Sequence, residues 1–349
     1  MSLHPPIALS AQAAARLATE RRQLVASLER ELASLRAVVD ARRGARWPAP
    51  GRLGVWQEAA AVRLTALLGW PLVGGAPARV KPRWRHFCRD DQGEICLVRF
   101  GVTGHYAAFA LLFLPEPGRI APLVIAQHGG LGLVEIISGL GCTSGNYNDM
   151  VTRLRQRGCA VLVPQLPMWS NNAKPPCVLE KLDPRLQLLG GSSPALQTLT
   201  LRRALDATLA LPELRNAPVG LAGLSYGGCY GLYVAALDPR IQALLTSCFF
   251  NDRHAYPVAP SFADGAAREF LDAELGALVC PRPLWIEVAD QDELFSPVGA
   301  RKEAAKLRRL YRAAGQSAQF RFTVFPGTHE FNRSDAGLDF LVRALVPKD

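Results

Sequence analysis

The sequence predicts an α/β fold, a mostly parallel, doubly wound sheet preceded by a helical extension. Its main support is a repeated pattern. From about Trp84 onward, the apolar runs PLVIAQHGG, CAVLVPQLP, PVGLAGL, IQALLTSCFF, PLWIEVAD and FRFTVFPG alternate with amphipathic stretches. These runs are apolar throughout, not at every second residue, as expected for strands covered by helices on both faces. Composition agrees: 49% of the 349 residues are hydrophobic and 20% charged, which suits a large core and argues against disorder.

The first element is a long helix over about 10–43. Ser10 is placed to cap it, and Leu17, Leu24, Leu28, Leu35 and Val38 form a stripe at helical spacing. Arg21 and Glu31 interrupt that stripe, so a sustained coiled coil is not expected. The stripe instead suits packing on the main domain or against a second subunit, giving a possible homodimer through this helix. WPAPGRLG breaks the helix, and a second runs from about Val55 to Leu68 before GWP ends it. WRHFCRDDQGEICLVRF reads as a hairpin, and YAAFALLFLPEP as a third strand stopped by prolines. Among the later stretches, LQTLTLRRALDATLALPEL and PVGARKEAAKLRRLYRAAG read as helices. The expected division is residues 1–50 as the helical extension and 51–349 as the sheet domain, with a short insertion over 251–280.

Charge and cysteine content narrow the function classes. The formal charge is +10, but the chain up to Arg85 holds fourteen basic residues and five acidic ones, so the rest is nearly neutral. Aromatic and basic residues do not alternate, and a basic solvated face is expected in place of nucleic-acid binding. No apolar run approaches the ~18 residues of a membrane span. MSLHPPIALSAQ has neither a basic start nor a long apolar segment, so the expected location is cytoplasmic. The eight cysteines occur singly, several inside apolar runs, and read as reduced core residues, with a Cys142–Cys177 bridge as an alternative. No cysteine or histidine pair has zinc-ligand spacing, and neither a metal nor a cofactor is expected.

One stretch carries chemistry. In GLAGLSYGGCYGL, Gly223, Ser225 and Gly227 form G-x-S-x-G between an apolar strand and a helix beginning at Tyr226. A serine on so sharp a turn is lifted above the sheet, and the positions two before and two after it must be nearly free of side chain. Its hydroxyl needs a base, and the base needs an orienting carboxylate. Of the six histidines, His329 alone follows the last strand, in a loop at the carboxyl edge where open sheets hold ligands. Asp292, in PLWIEVADQDELFSP, is the first choice of acid because it clears its strand; Asp290 and Asp252 are alternatives. An oxyanion site is expected from the amide of Tyr226 and from the segment Gly129, Gly130 and Leu131, with His128 ordering that loop. HGGLG is not a phosphate loop, since no G-K-[ST] follows. Tyr147, Trp169 and Phe250 are candidates to line a substrate pocket, although each also suits plain packing.

HGG after a strand, GLSYGG, ADQDELFSP and PGTHEF together resemble the α/β-hydrolase superfamily, particularly its dienelactone hydrolase, acetyl xylan esterase and prolyl oligopeptidase branches. The likeness spans about Trp84 to Leu345. It implies Ser225 as nucleophile, Asp292 as acid, His329 as base and Tyr226 as an oxyanion donor. Dienelactone hydrolases use cysteine where this chain has Ser225, and about 80 preceding residues leave no room for the propeller of a prolyl oligopeptidase. The expected function is a serine carboxylic ester hydrolase acting on small-molecule, small-acyl esters, including acetylated carbohydrates or lactones. The alternatives are a propeller-less aminopeptidase and a non-catalytic scaffold whose basic helix binds a partner.

Overall fold

A computed structural model describes residues 9–49, 51–79, 81–116, 122–169 and 173–346, which divide into two compact units. The first runs up to Trp47 and includes 267–269; the second holds the remainder. His4 and the centre of the loop after Met168 lie outside the described residues.

In the first unit α1 spans Ala11–Ala45. Ser10 caps it as the sequence predicts, its hydroxyl accepting from the Ala13 amide at 3.1 Å.

The second unit begins with α2 (Leu53–Leu68). It then builds β1 (Arg83–Asp90), β2 (Gly93–Thr103), β3 (Tyr106–Leu114), β4 (Leu123–Gln127), β5 (Ala160–Pro164), β6 (Val219–Leu224), β7 (Ile241–Ser247), β8 (Leu284–Ala289) and β9 (Phe320–Phe325). Their order in one sheet is β1-β2-β3-β5-β4-β6-β7-β8-β9. The first three and β5 pair antiparallel; β5, β4 and everything beyond pair parallel. All six apolar runs are therefore parallel strands, and β4, β5, β6 and β8 are buried along their whole length. The helices that bury them are α3 (Val134–Ser138), α4 (Met150–Arg155), α5 (Leu179–Gln187), α6 (Ser193–Leu209), α7 (Tyr226–Leu237), α8 (Asp272–Val279), α9 (Pro297–Ala313) and α10 (Ala336–Leu345). One face packs against α3, α4 and α10, where Ile137, Met150, Leu338 and Leu341 meet Val124, Val161, Ala222 and Leu245. The other face carries α6 to α9. No helix among the described residues is long and apolar enough to cross a membrane.

The chain runs from β4 outward to β5 and then crosses back to β6 on the other side of β4. This reversal opens a crevice at the carboxyl ends of the central strands. Both HGG, after β4, and Ser225, after β6, emerge there. IQALLTSCFF is strand only as far as Ser247, because Cys248 turns to φ 52°.

One strand residue departs from the apolar rule. Glu287 lies in β8 at 1% exposure, accepting from the Asn332 amide nitrogen at 3.2 Å. Burial pushes its carboxyl up to about 7, against the pull of the Asn332 hydrogen bond. The folded state thus keeps this proton where the unfolded chain has lost it. The stabilisation is complete below the usual carboxyl range, around pH 4.5, and is lost as pH rises through about 7. Glu287→Gln should flatten that decline and stabilise the protein at pH 8 by roughly 2–3 kcal/mol. Urea unfolding at pH 5 and pH 8 tests this, and the same pH dependence in both proteins would refute it.

Candidate active site

The turn after β6 is forced. Ser225 sits at φ 57°, ψ −127°, the only residue between the strand and α7. Its amide donates to the Ser247 carbonyl at 2.8 Å, and its carbonyl accepts from the Cys229 amide at 3.0 Å. A Cβ at Gly223 would overlap the Gly227 backbone, one at Gly227 would overlap the Gln127 carbonyl, and one at Gly228 would overlap the Thr246 hydroxyl. The glycines are therefore a steric condition for the turn as well as for helix packing.

Two loops from the far side of the sheet bring the other groups. Asp292 follows β8 and His329 follows β9, and Oδ2 of the first lies 2.9 Å from Nδ1 of the second. The other carboxylate oxygen accepts from the Leu294 and Phe295 amides at 2.8 and 3.0 Å. Burial pushes the Asp292 carboxyl up, but the His329 ring and these amides outweigh it and hold it below the usual carboxylate range. Of the alternatives, Asp290 accepts from the Gly327 amide and Asp252 from the His254 amide. The His329 loop is clamped by the segment before α4: the Asn146 side chain donates to the His329 carbonyl at 3.0 Å, and that of Asn148 to Glu330 and the Phe331 carbonyl.

After β4, His128 is wholly buried. Its Nε2 accepts from the Leu166 amide at 3.1 Å, which leaves Nδ1 to donate to the Gly129 carbonyl at 2.9 Å. Burial drives its pKa down to about 4, so the ring is neutral and serves to order the loop. Gly129 passes so close to the elbow that a Cβ there would lie 2.9 Å from the Ser225 Cβ.

The three loop amides are not equivalent. Gly129 donates to the Tyr147 hydroxyl at 3.0 Å, and Leu131 to the Met168 carbonyl at 2.8 Å. Among the described residues, the amides of Gly130 and Tyr226 have no acceptor. Two of the three loop amides expected as donors are thus engaged within the protein itself, while those of Gly130 and Tyr226 are not.

A cavity of about 340 Å³ opens over Ser225 and His329, with Gly130, Tyr226 and Trp169 in its wall. Tyr147 and Phe250, expected there, are instead buried at 4% and 1% exposure, Tyr147 bracing the HGG loop from behind. The neighbouring Phe249 packs at a tilt between Tyr226 and Phe295, and Phe295 lies beside His329, their ring centres 5.9 Å apart. The insertion anchors this wall: Arg253 lies over the Phe249 ring and pairs with Asp272 at 2.6 Å, both nearly inaccessible. Glu180, in α5, is the one carboxylate lining the cavity among the described residues.

The thiol of Cys248 lies within 4.8 Å of donor atoms of Asp292 and His329, the one such trio among the described residues. Burial pushes that thiol far up, so it stays protonated, close to the Glu330 carbonyl at 3.2 Å. Within the trio His329 Nδ1 is engaged by Asp292, and the protonated thiol lies beside that pair without a hydrogen bond to either. All eight cysteines are free thiols, Cys142 and Cys177 included.

Residues 136–346 match the model of the alpha/beta hydrolase family. The chain belongs to that family. This hydrolase is 26% identical over 269 residues to the Bacillus subtilis (strain 168) protein named "Putative hydrolase YtaP", covering 71% of the one and 86% of the other. It superimposes on a Bacteroides fragilis NCTC 9343 structure described as a "putative acetyl xylan esterase" with TM-score 0.65 at 12% identity, covering 86% and 84% of the two chains. A glucuronoyl esterase from Solibacter usitatus follows at TM-score 0.61 and 15% identity, covering 83% and 91%. At these identities the likeness is one of fold. In this hydrolase the sequence reading missed Glu180 and the Asn146–Asn148 clamp. The NYN string was the one visible sign of the clamp; Glu180 carried none.

Proposed function

We propose that this hydrolase cleaves carboxylic esters of small acyl groups through an acyl-enzyme formed on Ser225. The supporting observation is that His329, held by Asp292 at 2.9 Å, lines one cavity with a serine held in a forced conformation. In the forward step Ser225 Oγ attacks the ester carbonyl while His329 Nε2 takes its proton. Asp292 fixes the ring through Nδ1 and stabilises the imidazolium that forms. The amides of Gly130 and Tyr226 receive the oxyanion, each contributing about 3–4 kcal/mol to the barrier reduction. His329 then gives its proton to the leaving alcohol, and in the second half-reaction it activates water against the acyl-enzyme. The esterases among the structural neighbours accord with this chemistry.

The size and charge of the cavity narrow the substrate. About 340 Å³ suits a short acyl group. Glu180, its one carboxylate among the described residues, opposes anionic esters and is not the acidic pair an aminopeptidase needs to hold a substrate amine. A panel of p-nitrophenyl acetate, a hemisuccinate ester and an aminoacyl-nitroanilide tests the reading. Acetate should be turned over fastest, hemisuccinate about tenfold or more slower, and the nitroanilide scarcely at all. Preference for the nitroanilide would overturn the assignment.

A further inference from the structure

The long N-terminal helix presents an apolar seam to water. In α1 the residues Leu17, Arg21, Leu24, Leu28, Glu31, Leu35 and Val38 follow one another at alternating intervals of four and three, the spacing of a two-helix seam. The five apolar members are 45–64% exposed, and Arg43 is the one buried residue of the helix. Val25 and Leu32, beside the seam, are 56% and 50% exposed. A helix of 35 residues exposing such a stripe draws its stability from whatever covers it.

The two charged residues that interrupt the seam show what that is. Arg21 lies five residues before Ala26, and Glu31 lies five residues after it. The apolar positions share this centre: Leu24 and Leu28 are two residues either side, Leu17 and Leu35 nine, Ala14 and Val38 twelve. Among the described residues neither Arg21 nor Glu31 has an ion-pair partner in its own chain. If a second α1 is laid antiparallel across Ala26, Leu17 faces Leu35 of the partner subunit and Leu24 faces Leu28 of the partner subunit. Arg21 then faces Glu31 of the partner subunit, and two-fold symmetry repeats every contact. A parallel pair would set each charge against its own copy. A seam that reads as broken in one helix is thus complementary to itself in a single orientation.

We propose that α1 joins two copies of this chain as an antiparallel helix pair, with a two-fold axis at Ala26 and reciprocal Arg21–Glu31 ion pairs within the apolar seam. From Ala14 to Val38 the contact runs about 36 Å. The charges fix register and orientation at some cost in stability, as buried polar residues do in other helix pairs.

Sedimentation of the full chain at micromolar concentration should give twice the 37.9 kDa of one chain. Arg21→Glu alone and Glu31→Arg alone each place like charges together and should weaken the dimer about tenfold or more. Arg21→Glu combined with Glu31→Arg swaps the pair and should restore the wild-type dissociation constant. A monomeric wild type, or single variants that dimerise unchanged, would overturn the proposal. Failure of the charge swap to rescue would overturn the antiparallel register. None of these residues lines the cavity over Ser225, so turnover of p-nitrophenyl acetate should be unaltered in every variant, which separates this test from the test of ester cleavage.

Discussion

Ser225→Ala should lower kcat for p-nitrophenyl acetate by about 10⁴-fold or more, and the protein should melt within a few degrees of the wild type. The activity loss follows from chemistry: without Oγ no acyl-enzyme forms, and what remains is cavity binding and the two free amides. The preserved stability follows from geometry. The hydrogen bonds that hold the turn are made by the Ser225 backbone, to Ser247 and Cys229, and its side chain makes no capping bond to α7. Alanine accepts φ 57° no better and no worse than serine, since both carry a Cβ. Removing a partly buried hydroxyl with no described partner costs little. A fluorophosphonate probe should label the wild type at Ser225 and leave the variant unlabelled. Turnover within tenfold of wild type would refute the nucleophile, and loss of folded protein would show that the side chain holds the turn.

The parts of the site that could be read from the sequence are those fixed by neighbours in the chain. A strand, one residue and a helix determine the G-x-S-x-G turn, and the parallel order of β6 to β9 puts the loops that carry Asp292 and His329 at the same sheet edge. What depends on distant packing could not be read. HGGLG offers three similar amides, and only the approach of Tyr147 and of the Met168 carbonyl decides which one is left over. Tyr147 and Phe250 suit a pocket as aromatics outside the strands, but Tyr147 packs in the core cluster with Leu338 and Leu341, far along the chain, and Phe250 is buried. Glu180 lies in α5 between β5 and α6, where no periodicity links sequence to direction. Helix α1 shows a further limit. Its stripe was plain, but Arg21 and Glu31 read as interruptions because one helix considered alone has no complement to offer them.

Gly227→Ala should be more damaging to the fold than the loss of the nucleophile, and two opposing effects decide its size. Gly227 is the second residue of α7, so helix propensity favours alanine there by about 1 kcal/mol. Against this, the new Cβ would overlap the Gln127 carbonyl and approach the His128 carbonyl to 2.8 Å. Both are backbone atoms at the end of β4, and neither can move without shifting the strand that carries HGG. Overpacking against side chains costs about 1–3 kcal/mol, and against fixed backbone the cost should exceed that range, so the net loss is about 3 kcal/mol or more. Gly228→Ala makes a useful contrast, because its Cβ meets chiefly the Thr246 hydroxyl, and pairing it with Thr246→Ala removes that obstacle. Urea unfolding should place Gly227→Ala well below the Gly228→Ala/Thr246→Ala double variant. Any Gly227→Ala protein that folds should also hydrolyse p-nitrophenyl acetate poorly, because relief of the clash displaces the Gly130 amide relative to Ser225. A Gly227→Ala protein of wild-type stability and activity would mean that helix and strand separate more readily than the elbow geometry implies.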